Sequence, residues 1–105
     1  MANPYAGEVT VVVDGVPRVA KLTLGALAEL EAELHTGSLM DLITRIETRQ
    51  FSARDVLAIV LAGLRGGGWT GTAADLMRAD LAGGPLGAAK TAAQLLARAF
   101  SVPEA

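Results

Sequence analysis

From Glu8 to Val13 the chain alternates. Val9, Val11 and Val13 fall on one face, and Glu8, Thr10 and Val12 on the other. A period of two is the mark of a β-strand with one buried side. Asp14-Gly15 follows, a tight-turn pair in which glycine takes a positive φ without a Cβ clash. Val16 and Pro17 are expected to lengthen that turn, and residues 18–22 to return as the second strand. Pro17 lacks an N–H, which places it at the start of the strand or on an edge. Residues 1–7, broken by Pro4 and Gly7, read as a loose lead-in, and 8–22 as a β-hairpin. A lone hairpin is marginal in water, so this one must rest on the rest of the chain or pair with another.

Past residue 22 the period lengthens to that of helices. Thr23 is suited to cap a first helix, in which Leu24, Leu27, Leu30 and Leu34 recur at helical spacing and which ends near Thr36-Gly37. Ser38 caps a second, with Leu39, Leu42, Ile43 and Ile46 on one face and Asp41 and Arg45 as an i,i+4 ion pair. Ser52 with Asp55 makes a capping pattern for a third. From Val56 to Leu64 this third helix has no charged residue, so it is expected to be buried on nearly every side as the central helix. Thr72 with Asp75 opens a short fourth helix. Pro85 opens a fifth that runs to Phe100, where Leu86, Leu95, Leu96 and Phe100 supply bulk between alanines. The pattern predicts an α+β, mainly α fold: a hairpin and then, over 23–102, a bundle of about five short helices. No linker divides residues 1–105, so a single domain is expected.

Composition narrows the function more than it changes the fold. Aromatic residues make up 4% of the 105 and hydrophobic residues 51%, so the core must be aliphatic. The net charge is −2 and the nine basic residues are scattered singly, which argues against nucleic acid as the partner. With no cysteine there is no disulfide, thiolate catalysis or Cys-based zinc site. No stretch approaches the ~20 apolar residues that span a bilayer. Met1–Gly7 is not basic and leads into a strand, unlike a signal peptide, so a cytoplasmic protein is expected.

Candidate chemistry is sparse. The single histidine, His35, stands near Ser38 and Asp41 in sequence. Its place at a helix end suits the dipole, and Ser38 is better used as a cap than as a nucleophile. Glu29, Glu31 and Glu33 are spaced too closely along one helix to converge on an ion and read as a solvated face. Residues 66–71, Gly-Gly-Gly-Trp-Thr-Gly, formally match G-x-G-x-x-G, but a dinucleotide fingerprint needs a preceding strand, and here a helix precedes it. No catalytic residue, cofactor or metal is expected. Trp69, the sole tryptophan, stands out in this glycine-rich loop. It is either a lid over the core or, with Arg65 nearby, a partner anchor. The hairpin likewise either covers the bundle or adds an edge to a partner's sheet, which makes Val9, Val11 and Val13 candidate partner-binding residues.

One set of segments resembles a known family. Gly7-Glu8-Val9, Val13-Asp14-Gly15, Leu22-Thr23-Leu24-Gly25-Ala26-Leu27-Ala28-Glu29-Leu30-Glu31, Phe51-Ser52-Ala53-Arg54-Asp55-Val56 and Gly63-Leu64-Arg65-Gly66-Gly67-Gly68 together look like the small tail-assembly protein of gene transfer agents, the phage-like particles of alphaproteobacteria. The resemblance covers about residues 7–102. It implies a role in virion morphogenesis and no catalytic residues. Members are described as tail tube components or as tail-assembly chaperones, which coat the tape-measure protein while the tube polymerises. The expected function is a tail-assembly chaperone whose partners are the tape-measure protein, the tail tube protein or further copies of itself. A structural tail tube component is the alternative, and a small regulatory or antitoxin-like binding module is a third.

Overall fold

A computed structural model of the chain describes residues 7–33 and 38–100. Strands β1 (Val9–Val13) and β2 (Val16–Ala20) form an antiparallel hairpin, followed by helices α1 (Leu24–Glu33), α2 (Leu39–Glu47), α3 (Ala53–Gly66), α4 (Ala73–Arg78) and α5 (Gly84–Ala99). This is the α+β, mainly α architecture that the pattern predicts. The expected end of the first helix at Thr36-Gly37, with Leu34 and His35, lies outside the described residues.

The hairpin turn is tighter than expected. Asp14 and Gly15 both hold positive φ, 50° and 79°, as a two-residue type I′ turn requires. Val16 and Pro17 therefore belong to the strand, with Val13 opposite Val16 and Val12 opposite Pro17. In such a ladder Val13–Val16, Val11–Arg18 and Val9–Ala20 are the hydrogen-bonded pairs. Pro17 falls between them, where its missing N–H would have faced away from β1.

Four helices begin as their sequence signals require. The Ala26 amide donates to the Thr23 hydroxyl at 3.0 Å at the start of α1. Ser38 with Asp41, Ser52 with Asp55 and Thr72 with Asp75 are reciprocal capping boxes. α2 ends in a Schellman motif: the Gln50 amide donates to the Arg45 carbonyl at 2.8 Å and the Arg49 amide to that of Ile46 at 3.3 Å. Its left-handed residue is Arg49, at φ 59°, in place of the usual glycine. Asp41 is occupied by its cap, so the expected Asp41–Arg45 pair gives way to another. Arg45 instead makes a two-pronged ion pair with Asp55 at 3.0 Å, tying α2 to the start of α3.

α3 is the central helix. Val56 and every residue from Ile59 to Leu64 are buried, and α3 packs against α1, α4, α5 and β2. Around it gather Val9, Val11, Val13 and Ala20 of the hairpin, Ala26 and Leu30 of α1, Leu42 of α2, Leu76 of α4, and Ala92, Leu95 and Leu96 of α5. Among the described residues no polar or charged side chain is buried. Of the apolar residues that mark α1 and α5 in the sequence, Leu24, Leu86 and Phe100 are turned outward: these side chains are 85%, 69% and 46% exposed.

Candidate functional site

The loop after α3 joins the hairpin to the helices. A Cβ on Gly66 would come within 1.9 Å of the Lys21 carbonyl oxygen, and one on Gly67 within 1.8 Å of the Val19 carbonyl oxygen. Both glycines are there because the backbone following β2 crosses the end of α3 in contact with it. The Lys21 amide then donates to the Gly63 carbonyl at 2.8 Å. Gly68 has a third task, at φ 102°, as the left-handed residue of a Schellman motif. Its amide donates to the Arg65 carbonyl at 3.0 Å and that of Trp69 to the Leu64 carbonyl at 2.9 Å.

These bonds decide the nucleotide question for this segment. The Gly67, Gly68 and Trp69 amides already bond to carbonyls of α3, so they do not form a cradle for phosphate. The loop lies between two helices, without the strand that a dinucleotide site needs.

Trp69 folds back. Its ring lies so close to Gly71 that a Cβ there would come within 2.2 Å of it. The side chain is half-buried and packs against the core, as the residue after a left-handed cap commonly does. Arg65 is exposed and lines an open depression of about 320 Å³ with Thr23, Gly25, Ala26, Glu29 and Gly66.

Val9, Val11 and Val13 are placed differently from the partner-binding role. They are 4%, 5% and 6% exposed and belong to the core. The strand alternation that singles them out is the signature of their burial in the core, where β1 packs on α5.

The hairpin edges are also engaged. On the outer side of β1 the Ala82 amide donates to the Val12 carbonyl at 3.1 Å, and the Asp14 amide to that of Asp80 at 2.8 Å, a one-residue bridge centred on Val13 and Leu81. The Asp14 carboxylate accepts from the Asp80 amide at 2.8 Å, and the Arg98 guanidinium donates to the Glu8 carbonyl. On the outer side of β2, Pro17 offers no donor and Val19 abuts Gly67. The ladder position left outward on β1 is Thr10, which borders a cavity of about 90 Å³ with Val60, Leu81, Ala88 and Thr91. An edge for strand addition is therefore small.

What the surface does offer is helix. Leu24 of α1, Met40 of α2, Met77 of α4 and Leu86 of α5 are large, apolar and exposed. The helical spacing that predicts α1 and α5 counts Leu24 and Leu86 among their recurring apolar positions without separating them from the buried ones. The signal that separates them is position, because Leu24 opens α1 and Leu86 lies in the first turn of α5, where few neighbouring turns exist to cover them. Among the described residues no three acidic or histidine side chains come together in a group that could hold a metal ion. No described helix is long and apolar enough to cross a membrane.

No curated protein and no solved structure matches the chain. One family does: its sequence profile, described as phage tail tube protein, GTA-gp10, matches residues 6–102. That span takes in both strands, all five described helices and the glycine loop that joins them, and the chain belongs to the phage tail tube protein GTA-gp10 family.

Proposed function

We propose that this tail protein acts during assembly, as a chaperone that binds the helical tape-measure protein while the tube forms. The observation that carries this reading is the state of the sheet. Tube walls that close through sheets need free strand edges, and the two strands among the described residues have their outer sides largely occupied from within. Apart from Val16 at the start of β2 and Phe100 just past α5, its large exposed apolar residues lie on helices, the surface suited to docking another helix. Trp69 and Arg65 remain the candidate anchors in the loop at the end of α3.

The test is a pull-down of the tagged chain from particle-producing cells, with mass spectrometry of the captured proteins and of purified particles. The chaperone reading expects the tape-measure protein in the capture and the chain missing from finished particles. Finding the chain in mature tails at ring stoichiometry overturns it. That result would establish the second reading, a structural tube component, which the family's own description favours.

A further inference from the structure

We propose that the outward faces of α1 and α5 are the two halves of one contact, through which copies of this chain join head to tail. The inner sides of both helices are committed to the core, Ala26 and Leu30 in α1 and Ala92, Leu95 and Leu96 in α5. The opposite sides are not. On α1, Leu24, Ala28 and Ala32 follow at four-residue steps and are all exposed. On α5, Leu86, Lys90, Ala93, Ala97 and Phe100 follow at steps of four and three, all exposed, which is the spacing of a helix–helix seam. The α1 face thus carries a large apolar residue at its start, followed by alanines, and the α5 face one at each end with alanines between them, where a second helix approaches closely.

Charge identifies the occupant. α1 carries Glu29, Glu31 and Glu33, all exposed, and no basic residue. α5 carries Lys90 and Arg98 and no acidic residue, with Lys90 in the middle of its exposed face. An α1–α1 contact sets glutamates against glutamates, and an α5–α5 contact leaves the lysines without an acidic partner. An α1 face against the α5 face of a second copy sets Glu beside Lys and leucine-bearing ridges beside each other. Such a contact uses two different patches, so it is not closed by a dimer: each copy keeps one free face, and assembly continues to a ring or a filament. The inference holds for a chaperone or a tube component alike.

Two substitutions at exposed alanines block the faces separately. Ala28→Arg closes the α1 face and Ala93→Arg the α5 face, and arginine is well tolerated in helices. Circular dichroism verifies that both variants fold. In sedimentation velocity the unmodified chain is expected to pass beyond the dimer as concentration rises, and each variant alone to remain monomeric. An equimolar mixture is expected to form a 1:1 dimer and stop there, because one intact α1 face meets one intact α5 face. An unmodified chain that stays monomeric into the millimolar range, or that stops at a dimer, overturns the proposal. So does a mixture that does not pair, or a single variant that still assembles. Lys90→Glu supplies an independent reading: it is expected to weaken association roughly threefold at low salt, and an unchanged constant contradicts the charge assignment. Failure of this assembly leaves the tape-measure pull-down unaffected, so the two conclusions fall separately.

Discussion

Three glycines in a row at 66–68 and one arginine at 49 show how the backbone sets the identity of single residues. Gly67→Ala drives a methyl into the Val19 carbonyl and is expected to cost on the order of 2 kcal/mol, as other overpacking substitutions do. Gly68→Ala meets no neighbour and carries only the penalty of a left-handed alanine, about 1 kcal/mol. Arg49 already bears that penalty at the end of α2, so Arg49→Gly is expected to stabilise the protein by about 0.5–1 kcal/mol. Urea denaturation of the three variants checks the order, and a stabilising Gly67→Ala would contradict the close approach. Trp69→Ala separates the two uses of that side chain. We expect it to weaken capture of the tail partner more than it lowers Tm. A large fall in Tm with capture unchanged would show a lid alone.

At the scale of elements, Asp55 does two jobs, closing the capping box of α3 and receiving Arg45 from α2. Burial pushes its carboxyl up, but the bonds from Arg45 and Ser52 outweigh burial and hold it below the usual carboxylate range. The Asp75 carboxyl is also lowered, by the Thr72 amide first and its hydroxyl next. A depressed folded-state pKa means stability that is present above the unfolded value of about 4 and is lost as pH falls through the folded one. Thermal melts from pH 7 to pH 3 are expected to show Tm falling below about pH 5, less steeply in Asp55→Asn, which lacks the titrating group. An identical slope would remove Asp55 from the acid transition. The cap itself was legible in the sequence, because Ser52 and Asp55 stand three residues apart and their interaction is local. So were the alternating strand and the uncharged stretch from Val56 to Leu64. The Arg45–Asp55 pair was not, because Asp41 stood at the nearer helical spacing and only the geometry between α2 and α3 shows it occupied. Nor was the bridge at Leu81, a single residue without periodicity, or the reason for Gly66 and Gly67, which lies in a carbonyl some 45 positions away. The candidate partner residues split the same way: the pattern located Val9, Val11 and Val13 correctly on one face, but that face is turned to the core.

For the whole molecule, α3 is the element that the others share, packing against α1, α4, α5 and β2. Its amides from Ile59 to Leu64 are expected to exchange with solvent most slowly, near the rate of global unfolding. Ile59→Ala is expected to cost about 2–5 kcal/mol, a large part of the ~5–15 kcal/mol that holds a domain folded. Hydrogen exchange followed by mass spectrometry checks the first and a denaturant midpoint the second. Faster exchange in α3 than in α5 would displace α3 from the centre. The hairpin, meanwhile, bears on how the protein keeps when concentrated. A small sheet with open sides is a seed from which cross-β fibrils grow. Here Pro17, the close approach at Gly67 and the bridge at Leu81 leave an incoming strand little to copy. The chain is therefore expected to reach high local concentration without seeding fibrils, since its small sheet offers little to template them.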